Sequence, residues 1–428
     1  MQESLLHYIW QFQYFDHTNL QTTAGDSILV FHPGFRNTHA GPDFSNARIK
    51  IGDLEWIGNV EIHIHSSGWN DHKHSTDPAY ENVVLHVVWR EDAPVRRNDN
   101  SVIPTLELQG KVHDSLLIQY NKLLLNPEPI PCSASLPQVR PVTTLAMIDK
   151  ALMSRLESKA EVILEAFRRN NNDWEETCFQ MLSRNFGFKV NAEPLTALSR
   201  SLPYRFLMKH GDNLTQVEAL LFGQAGFLDD DTDDAYFRLL RREYLFLSQK
   251  FSLRENKLRK SQWKFLRLRP ANFPTIRVSQ FAGLLHTQRN IFSKLMEATG
   301  YTELTALLSC SQSEYWQHHY LFGRYIEAGI GPLGKMSIDN LIVNTAVPLM
   351  VAFGRSRDDQ DLVDRAVRIL EEVSPEENSI TKKWSTLGLK SRNAFDTQAL
   401  IELHNNYCLR RKCLDCSIGS SLIRPQIQ

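Results

Sequence analysis

No charge of either sign dominates this sequence: 48 Lys and Arg stand against 49 Asp and Glu, leaving a net charge of −1. A global electrostatic pull toward nucleic acid or anionic lipid is therefore excluded, and any basic surface must be local. Long hydrophobic runs are missing too. No apolar stretch reaches the ~18 residues that span a bilayer, and Glu3 stands where a secretory signal would carry positive charge, so no membrane partner is expected and the expected location is cytoplasmic. Cysteine is scarce, at six residues in 428. Three of them crowd near the C-terminus, unlike the even spread of a secreted disulfide scaffold. Phosphate-cradling loops are absent as well: no GxGxxG opens a helix, and GPLGK lacks P-loop spacing.

What is present reads as an ordinary globular chain, with 42% apolar and 23% charged residues and room for two or three domains. Leu5, Leu6, Ile9, Trp10 and Phe12 recur at helical spacing within residues 3–15. Strand-like runs follow at 27–32, 47–51, 54–65 and 83–89, with 102–110 as a fifth, and DPAYEN between the third and fourth reads as a short helix. Residues 126–141 hold five prolines and read as a linker. Helical patterns then occupy 143–169, 173–186, 235–252, 279–298, 313–327, 337–353 and 359–373, the second opened by Asp173 and Glu176 as a capping-box pattern. The expected fold class is α+β. An N-terminal αβββαβ domain (1–125) precedes a Pro-rich linker (126–142), a larger α-helical body (143–403) and a Cys-rich C-terminal segment (404–428).

Alternation sorts the run 54–65 into two faces, with Trp56, Gly58, Val60, Ile62 and Ile64 on one and Glu55, Asn59, Glu61, His63 and His65 on the other. A two-residue Gly52-Asp53 turn sets Lys50 opposite Glu55, and in that strict register Asp43 falls opposite Ile62, on the wrong face. A bulge at Gly58-Asn59 would place Asp43 opposite His63 and diagonal to Glu61. Asp43 and Glu61 would then converge as ligands of Mg²⁺ or Mn²⁺, with His63 orienting or deprotonating a water. A polar sheet edge is the plainer reading of the same residues. A rival metal site uses His72-x-His74 with Asp77 or His86 in a cupin-like barrel holding Fe²⁺, Zn²⁺ or Mn²⁺. As a plainer reading, His86 is a hydrogen-bonded core histidine and His72 and His74 are solvated.

Cys408, Cys413 and Cys416 follow a C-x4-C-x2-C spacing. Three cysteines so close on a chain of this kind point to Zn²⁺ or an iron–sulfur cluster, with His404 or the distant Cys132 as fourth ligand. Cys178 and Cys310 read as buried small hydrophobes. Residues 235–277 carry 12 Lys or Arg against 2 Glu, interleaved with Trp263, Phe265 and Phe273. That composition suits phosphate contact and base stacking, and makes nucleic acid the partner the sequence allows. Arg267, Arg269 and Arg277 are the candidate phosphate contacts. The competing reading is a solvated face offset by the acidic run at 229–234.

Two resemblances add to this. Pro42-Asp43 followed by Glu61-x-His63 resembles the PD-(D/E)xK nuclease signature, and the element order over residues 1–90 resembles that superfamily's core. The resemblance implies metal held by Asp43 and Glu61 and phosphodiester hydrolysis in DNA or RNA, with His63 standing where the pattern has Lys. The alternative is a non-catalytic nucleic-acid-binding or scaffold protein on a degenerate nuclease fold. Some helicase-associated members enclose a [4Fe–4S] cluster with one remote and three C-terminal cysteines, although their nuclease core lies between those cysteines and here it precedes Cys132. Over nearly the whole chain, AGPDF, GNVEIH, DPAY, LHVVW, IPC, LLFGQAGFL, RLRPANFPTIR and the terminal cysteines resemble an uncharacterised bacterial family, domain of unknown function 2851. That likeness implies a shared architecture and no established activity. Gly68, in SSGW, replaces an acidic residue associated with the family.

Overall fold

Helix α1 (Glu3–Gln11) buries Leu5, Leu6, Ile9 and Trp10 on one face, and its indole N–H at Trp10 donates to the Pro33 carbonyl at 2.9 Å. The structure, a computed structural model, describes residues 1–230 and 232–425. Strands β1 (Ile28–His32), β2 (Phe35–Arg36), β3 (Phe44–Ile51), β4 (Leu54–His65), β5 (Val83–Arg90) and β6 (Thr105–Glu107) form one mixed six-stranded sheet of order β1-β3-β4-β5-β6, with β2 also pairing β3. The β3–β4 hairpin turns at Gly52-Asp53 and sets Lys50 against Glu55, as alternation predicts. The bulge lies elsewhere than expected. Between the pairs Ala47–Gly58 and Phe44–Val60, β3 advances three residues while β4 advances two, so the extra residue is on β3, where Asn46 adopts φ +57°. Asparagine tolerates that left-handed conformation better than most residues. Continuing this register puts Asp43 opposite Glu61 rather than opposite His63.

Gly58 serves another purpose. A Cβ there would sit 2.7 Å from the Asn82 carbonyl oxygen and collide with Val84, so its missing side chain admits the start of β5. Strands β4, β5 and β6 run parallel, which excludes the antiparallel barrel of the cupin reading. Parallel pairing also demands a crossover. Residues 66–82 supply it, through helix α2 (Gly68–Asp71) and 3₁₀ turns at His74–Thr76 and Pro78–Tyr80, the latter capped by Asp77. The crossover returns His72 and His74 to the β4 residues they left.

The chain divides into two compact units, residues 1–148 with 403–428, and residues 149–402. The first contains the sheet, helix α3 (Asp114–Leu125) and helix Ser417–Ile423, whose Ser420 hydroxyl lies 2.9 Å from the Tyr8 hydroxyl. The cut between units falls inside helix α4 (Pro141–Arg169). The second unit is mainly helical. Helix α5 (Trp174–Phe186) is capped by the Asp173 carboxylate accepting from the Glu176 N–H at 3.1 Å, but the Glu176 side chain turns to Gln180 and the Tyr204 N–H instead of closing the box.

Three helical expectations break in this unit. The segment 279–298 is two helices, Pro274–Thr287 and Ile291–Glu297, parted by Asn290 at φ +52°. The segment 313–327 is a short helix, Glu314–His318, and a hairpin of His319–Leu321 with Arg324–Tyr325, turned by Gly323 at φ +68°. In 337–353, a π-turn at Ile342–Ala346 precedes Pro348. Proline cannot donate to the carbonyl four residues back, and that carbonyl, Asn344's, accepts from Asn185 Nδ2 at 3.1 Å. The stretch 335–356 is long and apolar enough to cross a membrane by length and composition. Asp339, Asn340 and Asn344 interrupt it as a run, and its most apolar window is 67% buried, which marks a core helix.

Candidate metal centre

Glu61 and His63 project from one face of β4, and both are buried, at 5% and 3% exposure. The parallel register sets His86 of β5 beside Glu61. Asp43 arrives from the mouth of β3. Its backbone N–H donates to Glu61 Oε2 at 3.0 Å, and its own Oδ2 accepts from the Ile62 N–H at 3.0 Å. From α1, His7 Nε2 comes within 3.2 Å of Asp43 Oδ2, and the Asp43 side chain stays 24% exposed.

The crossover completes the group. His72 Nδ1 lies 3.2 Å from His63 Nε2, and Glu61 Oε1 is 3.3 Å from His74 Nε2 and 3.9 Å from His63 Nε2. One nitrogen from each of His63, His72 and His74 falls within 4.8 Å of the others. A tetrahedral shell at metal–ligand distances of about 2.0–2.1 Å has ligand–ligand edges of about 3.3–3.4 Å, so this spacing suits a shared cation. His74 Nε2 and His7 Nε2 are also buried without a hydrogen bond, each facing a carboxylate oxygen. Buried polar atoms left in that condition call for a partner.

The second layer fixes the ligand faces. His63 Nδ1 lies 2.8 Å from His86 Nε2; with the proton on Nδ1 donated to His86, Nε2 is left bare toward the cluster, as a ligand requires. Tyr80 stacks on His74 at 3.9 Å between ring centroids. Gly68 is packed against His63, because a Cβ there would come within 2.7 Å of its Cδ2. Burial pushes the Glu61 carboxyl up to about 9, helped by the Asp43 charge and opposed by the Asp43 N–H. Burial and then the neighbouring His74 and His72 pull His63 down to about 4, and burial with His63 and His74 beside it pulls His86 to about 3. Glu3 is likewise raised by burial, with His7, Asp43 and His72 acting on it. At neutral pH the group therefore presents uncharged imidazoles His63, His74 and His86 and a protonated Glu61, a set that becomes a cation site on losing one proton.

The residues expected at two rival sites thus meet in one. Asp43, Glu61 and His63 join His72 and His74, while Asp77 is spent capping its 3₁₀ turn and His65 is exposed. His86 bonds to another side chain in the core, as the plainer reading has it, but that side chain is His63. His7 and Glu3 were not among the expected residues. Their only sequence signal is the i, i+4 spacing that puts both on the polar side of α1.

All four cysteines Cys132, Cys408, Cys413 and Cys416 are buried, and none is in a disulfide. Burial raises Cys132 to about 12, with Cys416 and Cys413 contributing, and raises Cys408 still further, with Cys132, Cys416 and Cys413 acting on it. Cys413 rises to about 11 through burial and then Cys416. Arg411 ties this segment together, donating to the Cys408 carbonyl at 2.9 Å and the Asn126 carbonyl at 2.7 Å. His404 Nδ1 is bonded to Asn405 Oδ1 at 2.9 Å, and its Nε2 is buried without a hydrogen bond.

The basic segment is divided by burial. Arg267 and Arg269 are exposed, but Arg277 is 9% exposed, so it cannot meet a phosphate backbone lying on the open surface. Trp263 is buried and donates to the Ala225 carbonyl at 2.9 Å, while Phe265 packs on Phe227 and Phe273; these rings are internal packing and not an open stacking platform. In the acidic run, Asp231 lies outside the described residues. Asp229, Asp230 and Asp233 pair with Lys257, Lys260 and Arg238.

Comparison with curated proteins and with solved structures finds no match. Residues 3–379, by contrast, match a family model that takes in the strands, the crossover histidines and most of the helical unit. The chain belongs to the family described as Protein of unknown function (DUF2851).

Proposed function

We propose that the protein is a divalent-metal-dependent hydrolase of phosphodiester bonds in DNA or RNA, working from the Asp43, Glu61, His63, His72 and His74 cluster. The observation that carries this reading is the convergence of Glu61 Oε1 on His74 Nε2 at 3.3 Å and His63 Nε2 at 3.9 Å, with His72 Nδ1 3.2 Å from His63 Nε2. Three imidazoles favour Mn²⁺, Zn²⁺ or Fe²⁺ over Mg²⁺, which prefers oxygen donors. The nuclease class draws support from the placement of Asp43, just before β3, against Glu61 of the neighbouring β4 and from the element order of the sheet. Exposed Arg267 and Arg269 supply positive charge for a phosphate backbone.

A bound divalent ion supplies a Lewis acid for the phosphoryl oxygen and a water acidified toward neutrality. Glu61 gives up its proton as the site fills. His63 keeps Nε2 toward the site because His86 holds Nδ1. Asp43, fixed by the Ile62 N–H yet partly open to solvent, is placed to orient the attacking water. His7 Nε2, next to Asp43 Oδ2, is placed to take up the proton that the attacking water releases, and the leaving oxygen is protonated from solvent. Cys132, Cys408, Cys413 and Cys416, all buried and acting electrostatically on one another, are the donors for a second site with a structural role for Zn²⁺ or a [4Fe–4S] cluster. A cytoplasmic location accords with six cysteines of which none is in a disulfide.

The test is cleavage of plasmid, single-stranded DNA and RNA by metal-stripped protein given Mn²⁺, Zn²⁺ or Mg²⁺. Activity that needs the added metal and disappears in Glu61→Gln and His63→Ala is expected. Metal-loaded wild-type protein that binds nucleic acid and cleaves none of these substrates would replace this reading with the scaffold alternative.

A further inference from the structure

Arg277 is a buried cation whose hydrogen-bond partners are all neutral. Its guanidinium donates to Gln280 Oε1 at 2.9 Å, Asn272 Oδ1 at 2.6 Å and Ser337 Oγ at 3.4 Å, all neutral acceptors. Its Nε is buried without any hydrogen bond. Among the described residues no carboxylate forms an ion pair with it. A guanidinium withdrawn from water without a counter-charge is strongly disfavoured, and burial pulls this one down to about 10.

The same group borders a cleft of about 350 Å³, whose lining includes Phe188, Lys189, Asn191, Asn272 and Asn340. That volume lies within the range of small-ligand pockets. The lining holds two cations, Lys189 and Arg277, and no Asp or Glu. It also includes Asn272 and Pro274, at the N-terminal end of the 14-residue helix Pro274–Thr287, where the helix dipole favours negative charge. Arg277 stacks over the Phe188 ring at 4.5 Å. Phe188 has φ +48°, a conformation an aromatic residue rarely adopts unless its surroundings impose it.

We propose that this cleft binds a phosphate monoester of mononucleotide size, its phosphate neutralising Arg277 and its remainder meeting the asparagine amides of the lining. The site belongs to the helical unit and does not depend on the metal-centre reading. Free mononucleotide and the terminal phosphate of a nucleic-acid strand share this chemistry, and the probes below separate them.

Calorimetric titration of the full-length protein would use inorganic phosphate, a nucleoside 5′-monophosphate, the matching nucleoside, and a short oligonucleotide with or without a 5′-phosphate. Saturable binding of the monophosphate but not the nucleoside is expected, weakened about a hundredfold in Arg277→Met. Arg277→Met should retain the fold, since it removes an unpaired buried charge. Should it fail to fold, Asn340→Ala and Lys189→Ala at the cleft must each weaken binding instead. Preference for the 5′-phosphorylated oligonucleotide over the mononucleotide would assign the site to strand ends. Absence of binding by every phosphate probe, or equal affinity in the Arg277, Asn340 and Lys189 variants, would overturn the proposal.

Discussion

Replacing Glu61 by Gln should make the metal-free protein more stable and the metal-loaded protein less so. The carboxyl is raised from an ordinary 4.5 to about 9, so the folded state holds its proton through a pH range where the unfolded chain has released it. Because the folded state binds more protons than the unfolded state between those limits, stability falls as pH rises from 4.5 to about 9. At pH 7, with 1.36 kcal/mol for each unit above the unfolded value, the penalty is about 3 kcal/mol; at pH 5 it is under about 1 kcal/mol. Gln is neutral in both states, and its amide oxygen can still accept from the Asp43 N–H. The unit has between 150 and 200 residues, a size at which each kcal/mol shifts Tm by about 2–4 °C, so Glu61→Gln should melt about 6–12 °C higher at pH 7. Adding Mn²⁺ or Zn²⁺ reverses the order once the metal stands about a thousandfold above Kd, since wild type then gains about 4.1 kcal/mol and the variant gains nothing. Scanning calorimetry of chelator-treated protein at pH 5, 7 and 9 provides the readout. A variant less stable than wild type without metal, or a difference that does not change with pH, would refute the electrostatic reasoning.

Gly68→Ala should lower metal affinity with little loss of fold, because its Cβ would press on the buried His63 ring at 2.7 Å; unchanged affinity by metal titration would mean His63 is not a ligand. Cys132→Ser should release one metal equivalent and destabilise the protein, while His404→Ala should not, as measured by elemental analysis and melting; equal loss from both would exclude the four-cysteine site. Arg267→Ala with Arg269→Ala should reduce the steepness of nucleic-acid affinity against salt by about one to two counterions, and an unaltered slope would place the phosphate contacts elsewhere.

The hairpin was legible because alternation and a Gly-Asp turn both act locally, so Lys50 and Glu55 could be paired from the sequence. The bulge was not. It depends on Asn46 taking a left-handed conformation and on β2 packing over it, where a Cβ at Gly34 would come within 2.8 Å of the Ser45 carbonyl oxygen, and neither event leaves a periodic signal. Glu61 and His63 could be placed on one face by strand parity, whereas Asp43 could not, because parity alone sets it opposite Ile62 and the bulge at Asn46 carries it to Glu61. His72 and His74 could be named but not positioned, since the path of a crossover is set by parallel pairing beyond the loop itself. His7 and Glu3 were hidden because a helix's local sequence states which face is polar, not what that face meets. The basic segment misled in a different way: counting charges cannot separate exposed Arg267 from buried Arg277. Helix periodicity likewise carried no warning of the hairpin after His318, where Gly323 turns the chain.

The central claim is that Glu61, His63, His72 and His74 share one divalent cation beside Asp43. Anomalous diffraction from crystals grown with Mn²⁺ or Zn²⁺, recorded on both sides of the metal edge, tests it most directly. The account predicts a peak within about 2.0–2.3 Å of Glu61 Oε1, His63 Nε2, His72 Nδ1 and His74 Nε2, absent from Glu61→Gln crystals grown in the same way. A fully soaked crystal with no peak among these atoms, or a peak that persists in the variant, would contradict it.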